Sequence, residues 1–588
     1  MKNIILASIA SLPLLFSSCD GLLDKAPLDK IGNDSYWSTS KDLENYTLQF
    51  YTVFPSFTGG GAEGGYLGIF GWDANKGSDN MITTSPNDIL NNSRSVVTSK
   101  GNGHWEWDKI RSVNFFFDNY SKCKDDINEY SHFLGEAYFF KAYLYFEKVK
   151  AYGDVPWFSK TLEMDSPELY APRVPRTIVV DSILYCLDKS VEYLSPLSEA
   201  PGGSNRLSKE TALLFKSRVA LFEGTWQKYH KGTVFATANA DPDKYFRAAV
   251  EAAEELMSPG KYSVGIYSTG NPDEDYAYLM GREDYKPIKE VLLWKDYDKG
   301  LNMAHNCLSY LTVGTNNAHV TLDLVSSYLT KNGRVYDYKQ AGSQAKGSDY
   351  LSLIATECDS RLKQTIWIPG DVMWDNNQYG KNIFQKPYLD NSGEFMNTTG
   401  FQLRKGVDPL SDGSGAGFGG ASQTGAIIFR YAEALLNYAE AKYELDGNVD
   451  YSKSINLLRQ RAGMPDFSIP QNLSAIEKLD YGYPVSDELY EIRRERRVEL
   501  AAEGFRSDDY RRWAAHQLFK GKRPKGYPFK ADEWSQPIVT PVDNEGFMDP
   551  FQKSLPDGYK FNEKRDYLNC IPTNEITLNP ELQQNPGW

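Results

Sequence analysis

Phe429-Arg430-Tyr431-Ala432-Glu433-Ala434-Leu435-Leu436-Asn437-Tyr438-Ala439-Glu440-Ala441 is the stretch from which the fold can be read. Ala432, Leu435, Ala439 and Tyr443 recur at steps of three and four, which draws one apolar face along a helix over 430–445. Asp446-Gly447-Asn448 supplies a turn, and a second helical run follows over 451–461. Two helices joined this tightly read as a packed pair, with alanines where the axes cross.

The same arrangement recurs upstream. A nearly all-apolar run over 133–149 ends at Tyr152-Gly153-Asp154-Val155-Pro156, where glycine caps and proline forbids continuation. A run over 177–194 is its partner. The next pair spans 208–229, with Ser208 as N-cap, and 245–257, where Phe246, Val250, Ala253 and Leu256 form a stripe. Paired helices with small residues at the crossings resemble tetratricopeptide units, although the repeat is degenerate. A single long helix is expected from Ser486 to about Trp513. Its stripe begins apolar at Leu489 and Ile492, then turns charged at Arg496, Glu499 and Glu503. Charges on a core-facing stripe point to paired, buried ions rather than to a ligand-binding cluster.

Between these pairs the periodicity fades, near 59–103 and over 262–423, where glycine, asparagine and scattered aromatics dominate. Insertions of this length, expected to be irregular, are where function tends to sit.

Composition narrows the function. A formal net charge of −14 argues against nucleic acid and against adsorption to anionic lipid, both of which call for a basic face. Aromatic residues make up 14%, which suits stacking on sugar rings and helix packing alike. The six cysteines form no CxxC pair, and no two histidines lie four apart, so neither a zinc site nor a disulfide framework defines the fold.

Residues 1–18 read as a secretory signal, with Lys2 followed by a short apolar run that Pro13 interrupts, too short to span a bilayer. Ser17 and Ser18 precede Cys19, an arrangement that resembles the lipobox of bacterial lipoproteins, in which the cysteine becomes the acylated first residue. Residues 19–33 are then a tether and 34–588 the working domain.

Five blocks in order carry a resemblance across nearly the whole chain. They are Glu136 through Gly153-Asp154-Val155-Pro156, the opening stretch 429–441, and Asn456-Leu457-Leu458-Arg459-Gln460-Arg461-Ala462-Gly463-Met464-Pro465. The others are 495–513, with Glu503-Gly504-Phe505-Arg506, and the C-terminal Ile571-Pro572 through Gln584-Asn585-Pro586-Gly587-Trp588. Together they resemble the SusD/RagB lipoproteins. The resemblance implies a mainly α fold of about four tetratricopeptide-like helix pairs whose insertions build a ligand-binding face. It also implies a glycan-binding outer-membrane lipoprotein that delivers oligosaccharide to a SusC-like TonB-dependent transporter, without catalysis and without a cofactor.

Glycan sites combine aromatic platforms with planar polar partners on exposed loops. Trp72, Asp73, Asp79 and Asn80 bring both together in the first insertion, where Trp72 is expected to stack while Asp79 and Asn80 bind hydroxyls. Trp374 and Tyr379 repeat the theme in the second, and Tyr276, Tyr278 and Tyr285 do so more loosely. Trp294 and Trp367 are assigned to the core. The run 271–275 offers oxygens for a weak cation site, and Gly415-Ala416-Gly417-Phe418-Gly419-Gly420 matches GxGxxG only formally, since no strand leads into it. Two other classes remain open. A glycoside hydrolase needs two carboxylates at a fixed separation, which sequence does not locate. A scaffold would use the helix pairs to hold a protein and bind no sugar.

Overall fold

The structure, a computed structural model, describes residues 36–57, 65–314, 318–390, 395–417 and 421–588. Cys19, the signal and the tether lie outside the described residues.

The main helices are α1 (Ser40–Leu48), α2 (Asp108–Asn119), α3 (Ile127–Tyr152), α4 (Arg176–Tyr193), α5 (Lys209–Tyr229) and α6 (Pro242–Leu256). Then come α7 (Tyr431–Asp446), α8 (Ile455–Arg461), α9 (Asp487–Glu499) and α10 (Arg506–Arg512). The expected pairs form: α3 packs on α4, α5 on α6 and α7 on α8, and successive pairs lean on one another. Helix α3 is longer than its apolar run because Asp126 accepts from the Asn128 N–H at 2.9 Å, capping a turn that the hydrophobic pattern does not mark. On α5, a methyl group at Gly224 would lie 2.8 Å from the Phe246 ring, so glycine is what lets α6 approach so closely.

Two expectations need correction. The single helix predicted from Ser486 to Trp513 breaks after Glu499, and α10 begins only at Arg506. Ala502 and Gly504 take left-handed φ values of +58° and +80° there, so the chain turns and both Glu499 and Glu503 meet Arg430. The second insertion is also less irregular than its sequence suggests. It holds short helices and strands β2 (Val291–Lys295), β3 (His319–Val320), β4 (Val372–Asn376) and β5 (Gly380–Ile383). β1 (Met81–Ile82) belongs to the first insertion, and β6 (Ala426–Arg430) leads into α7. The strands form three two-stranded antiparallel sheets, β1–β3, β2–β6 and β4–β5. Elements this short carry too few side chains to display a period.

Hydrophobic burial is divided between two large clusters. One fills the helix pairs around Phe139, Phe215, Leu435 and Trp513. The other lies under the insertions around Leu308, Tyr350, Phe401 and the two expected core tryptophans, Trp294 and Trp367. The α9–α10 segment belongs to both, with Ile492 and Tyr510 in the first and Val498, Ala501 and Ala502 in the second.

Candidate functional site

The seam between the clusters is ionic. Arg430 donates to Glu499 at 2.7 Å, to Glu290 at 3.0 Å and to Glu503 at 2.6 and 2.8 Å. Arg461 also reaches Glu499, at 2.6 and 2.7 Å, and Arg361 reaches it at 3.0 Å while pairing with Asp359 at 2.7 Å. Lys405 donates to Glu503 at 2.6 Å. All of these side chains are buried. Although burial alone would raise the Glu499 carboxyl, the surrounding guanidinium groups hold it well below the usual carboxylate range. Burial lowers the Lys405 ammonium to about 8 even with Glu503 beside it. The charged stripe of α9 is thus structural, as its sequence indicates, and it ties insertion residues to helix residues.

The first insertion is held in the same way, which changes the reading of four candidate residues. Asp79 is buried and accepts from Arg506 Nε at 2.6 Å and Nη2 at 2.8 Å, with Arg497 at 3.1 Å. Asn80 accepts from Arg497 Nε at 2.6 Å and donates to Asp73 at 3.1 Å. Asp73 is fully buried, and desolvation raises its pKa to about 6. None of the three side chains faces solvent, so the hydroxyl-binding role expected of Asp79 and Asn80 gives way to clamping the insertion onto α9 and α10. Trp72 is half-buried. The Lys76 ammonium lies 3.7 Å from its ring centroid, and its ring packs against Gly504, where a methyl group would come within 2.7 Å of Cε3. The ring is partly covered rather than fully open. Sequence spacing identified a real cluster here but missed its partners, Arg497 and Arg506, which lie more than four hundred positions away.

The second insertion presents a different surface. β4 and β5 form a hairpin whose turn is fixed by Asn376. Its Oδ1 accepts from the Gln378 and Tyr379 N–H groups at 3.2 and 2.9 Å, and its Nδ2 donates to the Ser411 and Ser414 carbonyls at 3.0 and 2.9 Å. Gly380 closes the turn with φ +68°. Trp374 lies half-buried on the Gly415 backbone, and its indole N–H is 3.4 Å from the Tyr379 carbonyl. The Tyr379 side chain is 40% exposed, and Gln378 donates to its hydroxyl at 2.8 Å. β5 is exposed along its whole length, and Leu410, which reaches 67% exposure, lies on the loop whose Pro409 carbonyl accepts from the Asp375 N–H. Aromatic rings, carboxamides and open strand therefore share one projecting surface. Sequence reasoning passed over Gln378 and Leu410: the turn lacks the Asn-Gly or Asp-Gly pair that marks a hairpin, and Leu410 meets it only through tertiary folding.

The looser candidates divide. Tyr276 and Tyr285 are buried, whereas Tyr278 is exposed. Asp275 spends its carboxylate on Ser268 and Thr269, which removes it from any cation site at 271–275. Among the described residues no group of three or more His, Cys, Asp or Glu could hold a metal ion, and no helix is long and apolar enough to cross a membrane. Cys123, Cys186, Cys307, Cys358 and Cys570 are all free.

Comparison with known proteins places this architecture. Residues 290–588 match the model of the SusD family, and residues 75–221 match a second model described as starch-binding associating with outer membrane. The chain belongs to the SusD family. A SusD-like protein of Formosa agariphila is 23% identical over 524 residues, covering 86% of this chain and 90% of the relative. Among solved structures, a SusD-like protein from Bacteroides fragilis superposes with a TM-score of 0.71 at 23% identity, covering 96% of this chain and all of that one. A SusD-like carbohydrate-binding protein from the same species gives 0.69 at 19% identity, covering 93% and 100%. A structure solved with xylogluco-oligosaccharide gives 0.56 at 15% identity, covering 93% and 96%. In this SusD-family chain, the first match includes the hairpin and all the ion pairs of the seam, and the second includes Asp79 and Asn80.

Proposed function

We propose that the protein is a cell-surface glycan receptor that captures oligosaccharide on the β4–β5 hairpin and passes it, uncleaved, to a SusC-like TonB-dependent transporter. The observation that carries the reading is the hairpin surface on which exposed Tyr379 and Gln378 sit beside half-buried Trp374, fixed from beneath by Asn376. Flat rings take the apolar faces of pyranoses, and carboxamides match their hydroxyls. Family membership and relatives described as carbohydrate-binding or solved with a xylogluco-oligosaccharide support the ligand class. Anchoring through Cys19 on the outer membrane would hold receptor and transporter together, so that confinement offsets weak affinity for a sugar on an open surface.

The test is a glycan-panel titration of the protein from Asp20 onward, with product analysis of every positive. Binding without new reducing ends, lost in a Trp374→Ala/Tyr379→Ala double variant that still unfolds cooperatively, is expected. Released product would instead make the protein a hydrolase. Silence across the panel, with the transporter still bound, would make it a scaffold.

A further inference from the structure

A concave surface that no hairpin residue lines lies where the second insertion meets the helix scaffold. It is a cleft of about 490 Å³ between residues 335–357 and the 472–476 segment linking α8 to α9. That volume falls within the range of small-ligand pockets, roughly 300–1,000 Å³, and such pockets favour junctions between structural units.

The junction is built rather than incidental. Asn472 accepts from the Val335 N–H at 2.9 Å and donates to the Val335 carbonyl at 2.9 Å, so one side chain satisfies both backbone groups across the gap. The cleft wall beside this contact is fixed by an N-cap, in which Asp337 accepts from the Gln340 N–H at 2.9 Å and starts the short helix Tyr338–Gln344. Tyr336 is held edge-on against Tyr338, with ring centroids 4.8 Å apart and planes at 82°, and remains half-buried. Its ring, Val335 and Ile476 supply an apolar strip, while Gln340 and Gln344 project from the helix as exposed carboxamides. Glu357 completes the rim.

An aromatic ring with an aliphatic strip on one side and planar hydrogen-bonding groups on the other is the recognition chemistry of a sugar ring. The charge of the cleft narrows the class. Asp337 and Glu357 line it and no lysine or arginine does, so a uronate or a sulfated sugar would bring its anion against two carboxylates. We infer that this cleft is a second saccharide site, selective for neutral sugars over anionic ones. The inference rests on the reading of the protein as a glycan receptor, but it uses none of the hairpin's residues. Two sites on one chain would hold separate stretches of one polymer and raise avidity without tighter contacts at either.

Hydrogen–deuterium exchange on the protein from Asp20 onward, with and without a neutral xyloglucan oligosaccharide, a starch oligosaccharide or an oligogalacturonate, tests this. Slower exchange in peptides covering 335–344 and 472–476 is expected with a neutral oligosaccharide and not with the oligogalacturonate. That protection should persist in Trp374→Ala/Tyr379→Ala and disappear in Tyr336→Ala. Because Tyr336 also packs inward, a Gln340→Ala/Gln344→Ala variant, altered only on exposed side chains, should weaken the protection as well. Protection confined to 372–383 would overturn the second site and leave the receptor reading intact. Equal protection by the oligogalacturonate would overturn the selectivity, and no protection anywhere by either neutral oligosaccharide would overturn both.

Discussion

Replacing Asp79 with asparagine separates two uses of the same residue. In the structure its carboxylate lies between Arg506, at 2.6 and 2.8 Å, and Arg497, at 3.1 Å, with all three side chains buried. The guanidinium groups hold the Asp79 carboxyl well below the usual carboxylate range, so it is ionised at neutral pH. Asparagine keeps the shape but leaves two buried cations facing a neutral amide, and removing one partner of a buried pair costs about 3–5 kcal/mol. Set against a total stability of about 5–15 kcal/mol, that is a large fraction. Urea unfolding followed by tryptophan fluorescence should show a lower midpoint with an unchanged slope. Glycan affinity, measured on the folded protein well below the midpoint, should stay at the wild-type value. The reasoning would be refuted by the opposite pattern, an unchanged midpoint with affinity lost, because Asp79 would then be a ligand contact. The pH dependence has a definite sign. The folded-state pKa lies below the unfolded one, so the contribution is complete above about pH 4 and is lost as pH falls through the depressed value.

Asp73 should behave oppositely. Its carboxyl is raised to about 6, so the folded state holds a proton that the unfolded state has released between about pH 4 and 6, and stability falls as pH rises across that window. Asp73→Asn, which keeps an oxygen for Asn80, should therefore raise the unfolding midpoint at pH 7 by an amount worth about 1–3 kcal/mol and leave it little changed at pH 4. Glu499→Gln removes the carboxylate shared by Arg430, Arg461 and Arg361 and should cost at least about 3 kcal/mol by urea unfolding. By contrast Asp375→Asn, which breaks the exposed pair with Lys381, should move stability by less than about 1 kcal/mol. Gly504→Ala combines a φ of +80° with a methyl 2.7 Å from Trp72, so a loss of about 2 kcal/mol or more is expected, together with altered fluorescence of the displaced indole.

The helix pairs were legible because they are long. Ala432, Leu435 and Ala439 announce a buried face by spacing alone, and the structure buries all three. The charged stripe over 496–503 was legible for a related reason, since Arg496, Glu499 and Glu503 sit where an apolar face should continue. The break after Glu499 was not, because Gly504 looks ordinary in sequence and the ring it packs against, Trp72, lies more than four hundred positions away. The candidate site divides along the same line. Asp79 has the composition of a sugar ligand, and its actual partners are set by tertiary folding that no local pattern encodes. Trp374 and Tyr379 lie on one hairpin, whose strands are neighbours in sequence, so their proximity follows from a local pattern.

That locality has a practical consequence. The hairpin is closed at its base by backbone hydrogen bonds from Gly370 to Phe384 and from Phe384 to Asp371, while the seam lies elsewhere, in the ion pairs of α9. A protein engineer can treat the stretch between those closures as an exchangeable cassette. On the proposed reading, transplanting a different turn with its own aromatic spacing would retarget capture while the ion pairs of the seam stay untouched.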